Sequence, residues 1–133
     1  MAITSKIFSD LASLAKMLDA VFNASTLYAE RFQAESTTSG IRGVSGWSNL
    51  YAAAATGSGV ATIALSGSVV INVDASSTGV AAVDKIVYAQ SEDINNTQIY
   101  LIYTITISPA EEFIYAGTIT ITTATITLSG TMT

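Results

Sequence analysis

Near the start of the chain, apolar positions recur every three or four residues. Ile7, Phe8, Leu11, Leu14, Ala15, Leu18, Val21 and Phe22 fall on one stripe of a helix expected over about residues 5–21, with Thr4 or Ser5 placed to cap it. Lys6, Asp10, Ser13, Lys16 and Asp19 occupy the other side, so the helix is amphipathic and needs an apolar surface to lie on. That surface is either the core of its own domain or a neighbouring subunit.

After Asn23 the period shortens to two, and clusters of Gly, Ser and Asn punctuate the alternation. Strands are expected over residues 26–34, 47–53, 59–65, 68–74, 83–90, 98–107, 113–121 and 125–128. In the fourth of these, Val69, Ile71 and Val73 face inward while Ser68, Asn72 and Asp74 face out. The run STTSGIRGVSG, residues 36–46, carries no alternation and reads as a long surface loop. Trp47 follows it as a core-edge anchor or an exposed contact residue. Near the end, Thr118, Thr120 and Thr122 share one strand face. Ile119 and Ile121 have the opposite parity to Ile126 and Leu128, so the face must switch at Thr123 and Ala124 through a bulge or turn.

This spacing of short strands predicts a mainly β fold, an antiparallel sandwich of jelly-roll or immunoglobulin-like type with one N-terminal amphipathic helix. The chain length fits one domain, residues 1–133, with helix and linker over 1–24 and the sandwich over 25–133. Half the residues are apolar but only 11% are charged, against roughly 25% in an ordinary soluble protein. So few ionic groups cannot cover a lone small domain, and part of its surface is expected to lie against partners. The net charge is −5 and the five basic residues are scattered, which argues against nucleic acid. No apolar run has the length of a membrane span, and the interrupted N-terminus reads as retained rather than as an export signal.

The chain has no histidine and no cysteine. Imidazole bases, thiolate nucleophiles and the usual zinc and iron ligand sets are therefore missing, and neither a cofactor nor a metal is expected. Glu92 with Asp93, and Glu111 with Glu112, are the visible carboxylate pairs. As sequence neighbours they are not preorganised as acid and base. DINNT, residues 93–97, has oxygens at alternate positions but lacks the glycine and distal glutamate of a calcium loop, and reads as a polar hairpin loop. TGSGVATIALSGSVV lacks the lysine of a phosphate loop. The threonine row resembles that of flat ice-binding surfaces, but it is a single row without repeats. No constellation supports an enzyme.

Two longer stretches carry a family resemblance. ALSGSVVINVDASSTGVAAVDKIVYAQ, residues 64–90, resembles the middle of small tailed-bacteriophage virion proteins, tail-fibre-like or head-decoration-like, with a Leu-Ser-Gly turn, an alternating Val strand, a small-residue turn and a second strand. SPAEEFIYAGTITITTATITLS, residues 108–129, resembles their ending. The heavier strand IYLIYTITI, residues 99–107, departs from the pattern. The resemblance implies a virion location and a β-sandwich, and it transfers no catalytic residue. The expected function is a non-enzymatic capsid decoration or cement protein, or a tail or head fibre component, acting through protein–protein contacts with other virion proteins. The alternative is a carbohydrate- or surface-binding adhesion module. A homo-oligomer is expected, a trimer by analogy, with no nucleic acid or membrane partner. Candidate interface residues are Phe8, Leu11, Leu14, Leu18 and Phe22 on the helix stripe, Trp47, and Thr118, Thr120 and Thr122.

Overall fold

The period-two alternation becomes antiparallel ladders throughout. The computed structural model describes residues 11–57, 60–74 and 80–129, and strand accounts for 62% of these described residues, so pairing between strands rather than helix packing sets the architecture. The expected mainly β, antiparallel fold with one short helix is what the chain adopts. Its strands lie in curled sheets of six and three members, in two compact units.

One unit contains the helix α1 (Leu11–Phe22) and the strands β3 (Ala55–Gly57), β4 (Val60–Ala64) and β9 (Thr125–Ser129), in the order β3-β4-β9. The helix lies against these strands, most extensively β4. Leu14, Leu18 and Phe22 recur on the face turned inward, and Leu14 has no exposed surface at all. The Phe22 ring meets Tyr51 at 4.7 Å between centroids. Val21, expected on the same stripe, is exposed, as is Met17, so the buried face is narrower than the periodicity implied. Thr4, Ser5 and Phe8, together with the side chain of Leu11, lie outside the described residues. At the helix end Asp19 accepts a hydrogen bond from the Ala54 amide at 2.9 Å, and Asn23 Nδ2 donates to the Ala52 carbonyl at 2.8 Å. Two polar side chains thus fasten the segment that leads into β3.

The other unit holds β1 (Ala29–Ser36), β2 (Gly40–Val44), β5 (Val69–Asp74), β6 (Val80–Ser91), β7 (Ile99–Ile114) and β8 (Ala116–Ile121), in the order β7-β6-β1-β2-β5-β8. β5 alternates buried and exposed residue by residue, with Val69, Ile71 and Val73 inward as expected. The stretch 36–46 is not a long loop. It is the turn and second strand of a hairpin, with Gly40 at φ 75° and β2 pairing both β1 and β5. Gly43 makes this pairing close: a Cβ there would stand 2.2 Å from the Asn72 carbonyl oxygen, so a glycine that looked like loop composition is a packing requirement. Residues 47–53, expected as a strand, contribute only isolated bridges, Glu30 with Ser48 and Tyr51 with Leu65.

The expected gap between strands 98–107 and 113–121 is also displaced. β7 runs through Pro109, because residues 107–110 bulge opposite Asp84 and β7 is an edge strand on which the missing N–H removes no ladder bond. The chain instead breaks at Tyr115, with φ 70°, and passes directly from the β6 ladder to the β5 ladder. The face switch expected at Thr123 and Ala124 falls in residues 122–124, which separate β8 from β9.

Leu14→Ala should lower stability by about 2–5 kcal/mol in denaturant unfolding, because it opens a cavity at a fully buried site. Met17→Ala, on the exposed face of the same helix, should change it by less than about 0.5 kcal/mol.

Candidate functional site

β7 is the longest strand among the described residues, and no residue of it is fully buried. Ile99, Tyr100, Leu101, Ile102 and Ile105 are all exposed, Leu101 to 63%, and beyond them Ile114 and Tyr115 are more exposed still. Both faces of the strand contribute to this surface. Its outer edge pairs with no other strand among the described residues.

Three sets of contacts hold β7 in place. At its start, the β6–β7 loop closes around the Asp93 carboxylate. Oδ1 accepts from the amides of Thr97 at 2.8 Å and Gln98 at 2.7 Å, while Oδ2 accepts from the Asn95 amide at 3.1 Å and from Thr97 Oγ1 at 2.8 Å. These bonds, that of Gln98 foremost, lower the Asp93 pKa to about 2. In DINNT, then, the carboxylate organises a hairpin loop and spends its lone pairs on that loop.

At mid-strand, the Tyr103 ring stacks on Tyr88 at 5.0 Å and 19°, and Phe32 completes the cluster at 5.5 Å from Tyr88 and 6.4 Å from Tyr103. Tyr88 is in turn fixed from below. Its hydroxyl donates at 2.5 Å to Oε1 of Glu30, a fully buried carboxylate whose Oε2 accepts from the Leu50 amide at 2.5 Å, and Gln90 Nε2 donates to the Tyr88 hydroxyl at 3.1 Å. At the far end, the Phe113 ring lies over Gly117, where a Cβ would come within 2.4 Å of it. Ile107, Glu111, Phe113, Thr118 and Ile119 line a cavity of about 200 Å³ in the crook of this bend. Glu111 and Glu112 pair with Val83 and Ala82 in successive ladder positions, so their side chains project to opposite faces.

No family model, curated protein or solved structure matches this chain. The reading of the site therefore stands on its geometry.

The described candidate interface residues differ in exposure. Leu14, Leu18 and Phe22 are buried in the core of their own unit. Trp47 is half-buried, with the Arg31 guanidinium 4.3 Å above its ring. Thr118, Thr120 and Thr122 are exposed, while Ile119 and Ile121 between them are half-buried. The wetter face of β8 is thus threonine. Sequence reasoning missed Glu30 and Tyr88. The signal was present in parity, since Glu30 alternates with Phe32 and Ala34, both fully buried.

Tyr88→Phe, which removes one donor from the buried Glu30 carboxylate, should destabilise the protein by about 1–3 kcal/mol in denaturant unfolding. Asp93 gives a pH signature of definite sign. Its folded pKa, about 2, lies below the ordinary 3.8, so its contribution to the loop is complete above about pH 4 and is lost as pH falls through about 2. The Asp93 carboxyl and the Thr97 and Gln98 amides should titrate together by NMR near pH 2; a shared midpoint near 3.8 would contradict the loop geometry.

Proposed function

We propose that this chain is a non-enzymatic structural subunit of a bacteriophage particle, a capsid decoration or cement protein or a tail or head fibre component, working through protein–protein contacts on a sandwich-type β scaffold. The observation that supports it best is β7, a strand rich in large apolar residues and uncharged from Ile99 to Ala110, exposed on both faces and held rigidly by Asp93, Tyr88 and Phe113. A contiguous exposed apolar surface of this kind marks a place where another protein sits. The low charge of the whole chain points the same way, because a protein repeated many times in a particle hides much of its surface against neighbours. The resemblance of residues 64–90 and 108–129 to virion proteins supplies the particle. Other virion proteins are the partners, the virion is the location, and no cofactor takes part.

A second reading, a carbohydrate- or surface-binding adhesion module, draws on the exposed rings of Tyr28, Tyr100 and Tyr115. Aromatic faces of this kind stack on sugar rings.

Mass spectrometry of particles purified from a host that carries the gene should find this chain in many copies per particle. Its absence from purified particles overturns the proposal. Binding to a glycan array that is lost in Tyr100→Ala or Tyr115→Ala favours the adhesion module instead.

A further inference from the structure

We propose that the partner of β7 is a second copy of the same chain, paired antiparallel about a two-fold axis so that the two six-stranded sheets join edge to edge. The inference rests on the structural-subunit reading above and says how copies of that subunit meet.

Three observations select this occupant. The first is length. β8 and β9, which also lie at sheet edges, have six and five residues and β3 has three, so none of them spans the uncharged stretch of β7 from Ile99 to Ala110. Another β7, set antiparallel about Ile105, does.

The second is electrostatic and steric complementarity. A two-fold axis near Ile105 sets Tyr103 opposite Ile107 and Thr104 opposite Thr106. Tyr103 and Ile105 share the face of Tyr88 and Ile86, and Thr104 and Thr106 lie on the other. Aromatic thus meets β-branched and threonine meets threonine, both favourable cross-strand pairs. Glu111 falls opposite Ile99, so no like charges face each other. The edge also lacks the lysines that keep a free edge from pairing.

The third is extent. Pro109, which has no N–H, and the register shift between Tyr88 and Ala89 bound the regular part of the edge at either end. Pairing there closes on itself as a dimer, in place of the trimer that the virion resemblance implies.

The test uses the full chain. Sedimentation at micromolar concentrations should show a reversible dimer. Ile105→Lys and, separately, Thr104→Lys on the opposite face should each weaken it at least ~10-fold with the circular dichroism spectrum unchanged, and Thr120→Lys on β8 should not. Because the chain has no cysteine, Ile105→Cys offers a single thiol, and mild oxidation should link it to its own counterpart. A monomer at every concentration, a trimer, a dimer indifferent to both lysines, or an uncrosslinked Ile105→Cys protein overturns the proposal. Particles that contain the chain while the isolated protein fails these tests sink the dimer alone. A dimer that forms through β7 while purified particles lack the chain sinks the virion reading alone.

Discussion

The Glu30 carboxylate, fully buried near the start of β1, is the constraint on which the six-stranded unit depends. An ionised or even a neutral carboxyl in that position is costly unless its oxygens are bonded. Each one is: Oε1 takes the Tyr88 hydroxyl and Oε2 the Leu50 amide, while the Glu30 backbone exchanges hydrogen bonds with Ser48 at 2.9 and 3.0 Å. One residue therefore ties β1 to β6 and to the segment before Tyr51. Leaving any of these partners out of place strands a buried polar group, so the arrangement forms as a set. Through Tyr88 its geometry reaches Tyr103 and hence β7. An exposed edge strand this apolar keeps a defined position because its inner ring stacks on one that a buried carboxylate holds.

How much of this was legible in the sequence follows from how local the cause is. β5 was read correctly residue by residue because one face is buried and the other wet, and alternation records that directly. The break between β8 and β9 was legible for the same reason, a change of parity that a continuous strand cannot accommodate. β2 was missed because its glycines have a non-local cause: Gly43 is small to admit the Asn72 carbonyl, a contact from a strand far along the chain. The continuity of β7 through Pro109 was missed likewise, since a proline forbids a central strand but not an edge, and strand order cannot be read from alternation.

The helix shows the same limit in another form. Its stripe was visible as a period, and Leu14, Leu18 and Phe22 do turn inward, yet periodicity does not say whose core the stripe enters. Burial within its own unit leaves those side chains to hold α1 on the strands beside it. Asp19, which the pattern assigned only to the polar side, and Asn23, just past the helix, make the bonds that fix the segment leading to β3. The polar face of the helix is thus structural as well as solvated.

These placements change where the low charge of the chain matters. Spread evenly, too few ionic groups would make the whole surface weakly soluble. Here the six-stranded unit keeps carboxylates at both ends of the uncharged stretch of β7, Glu92 and Asp93 before it and Glu111 and Glu112 after it. Acidic groups at the two ends disfavour strands that slide past the neutral segment, because a longer overlap sets carboxylate against carboxylate as partners shift out of register. Charge placed there does for an open edge what an inward lysine does elsewhere: it limits pairing rather than preventing it. An edge protected along its whole length could contact nothing, and one protected nowhere would pair without end. A neutral segment bounded by acidic ends and interrupted by Pro109 limits pairing to a short span.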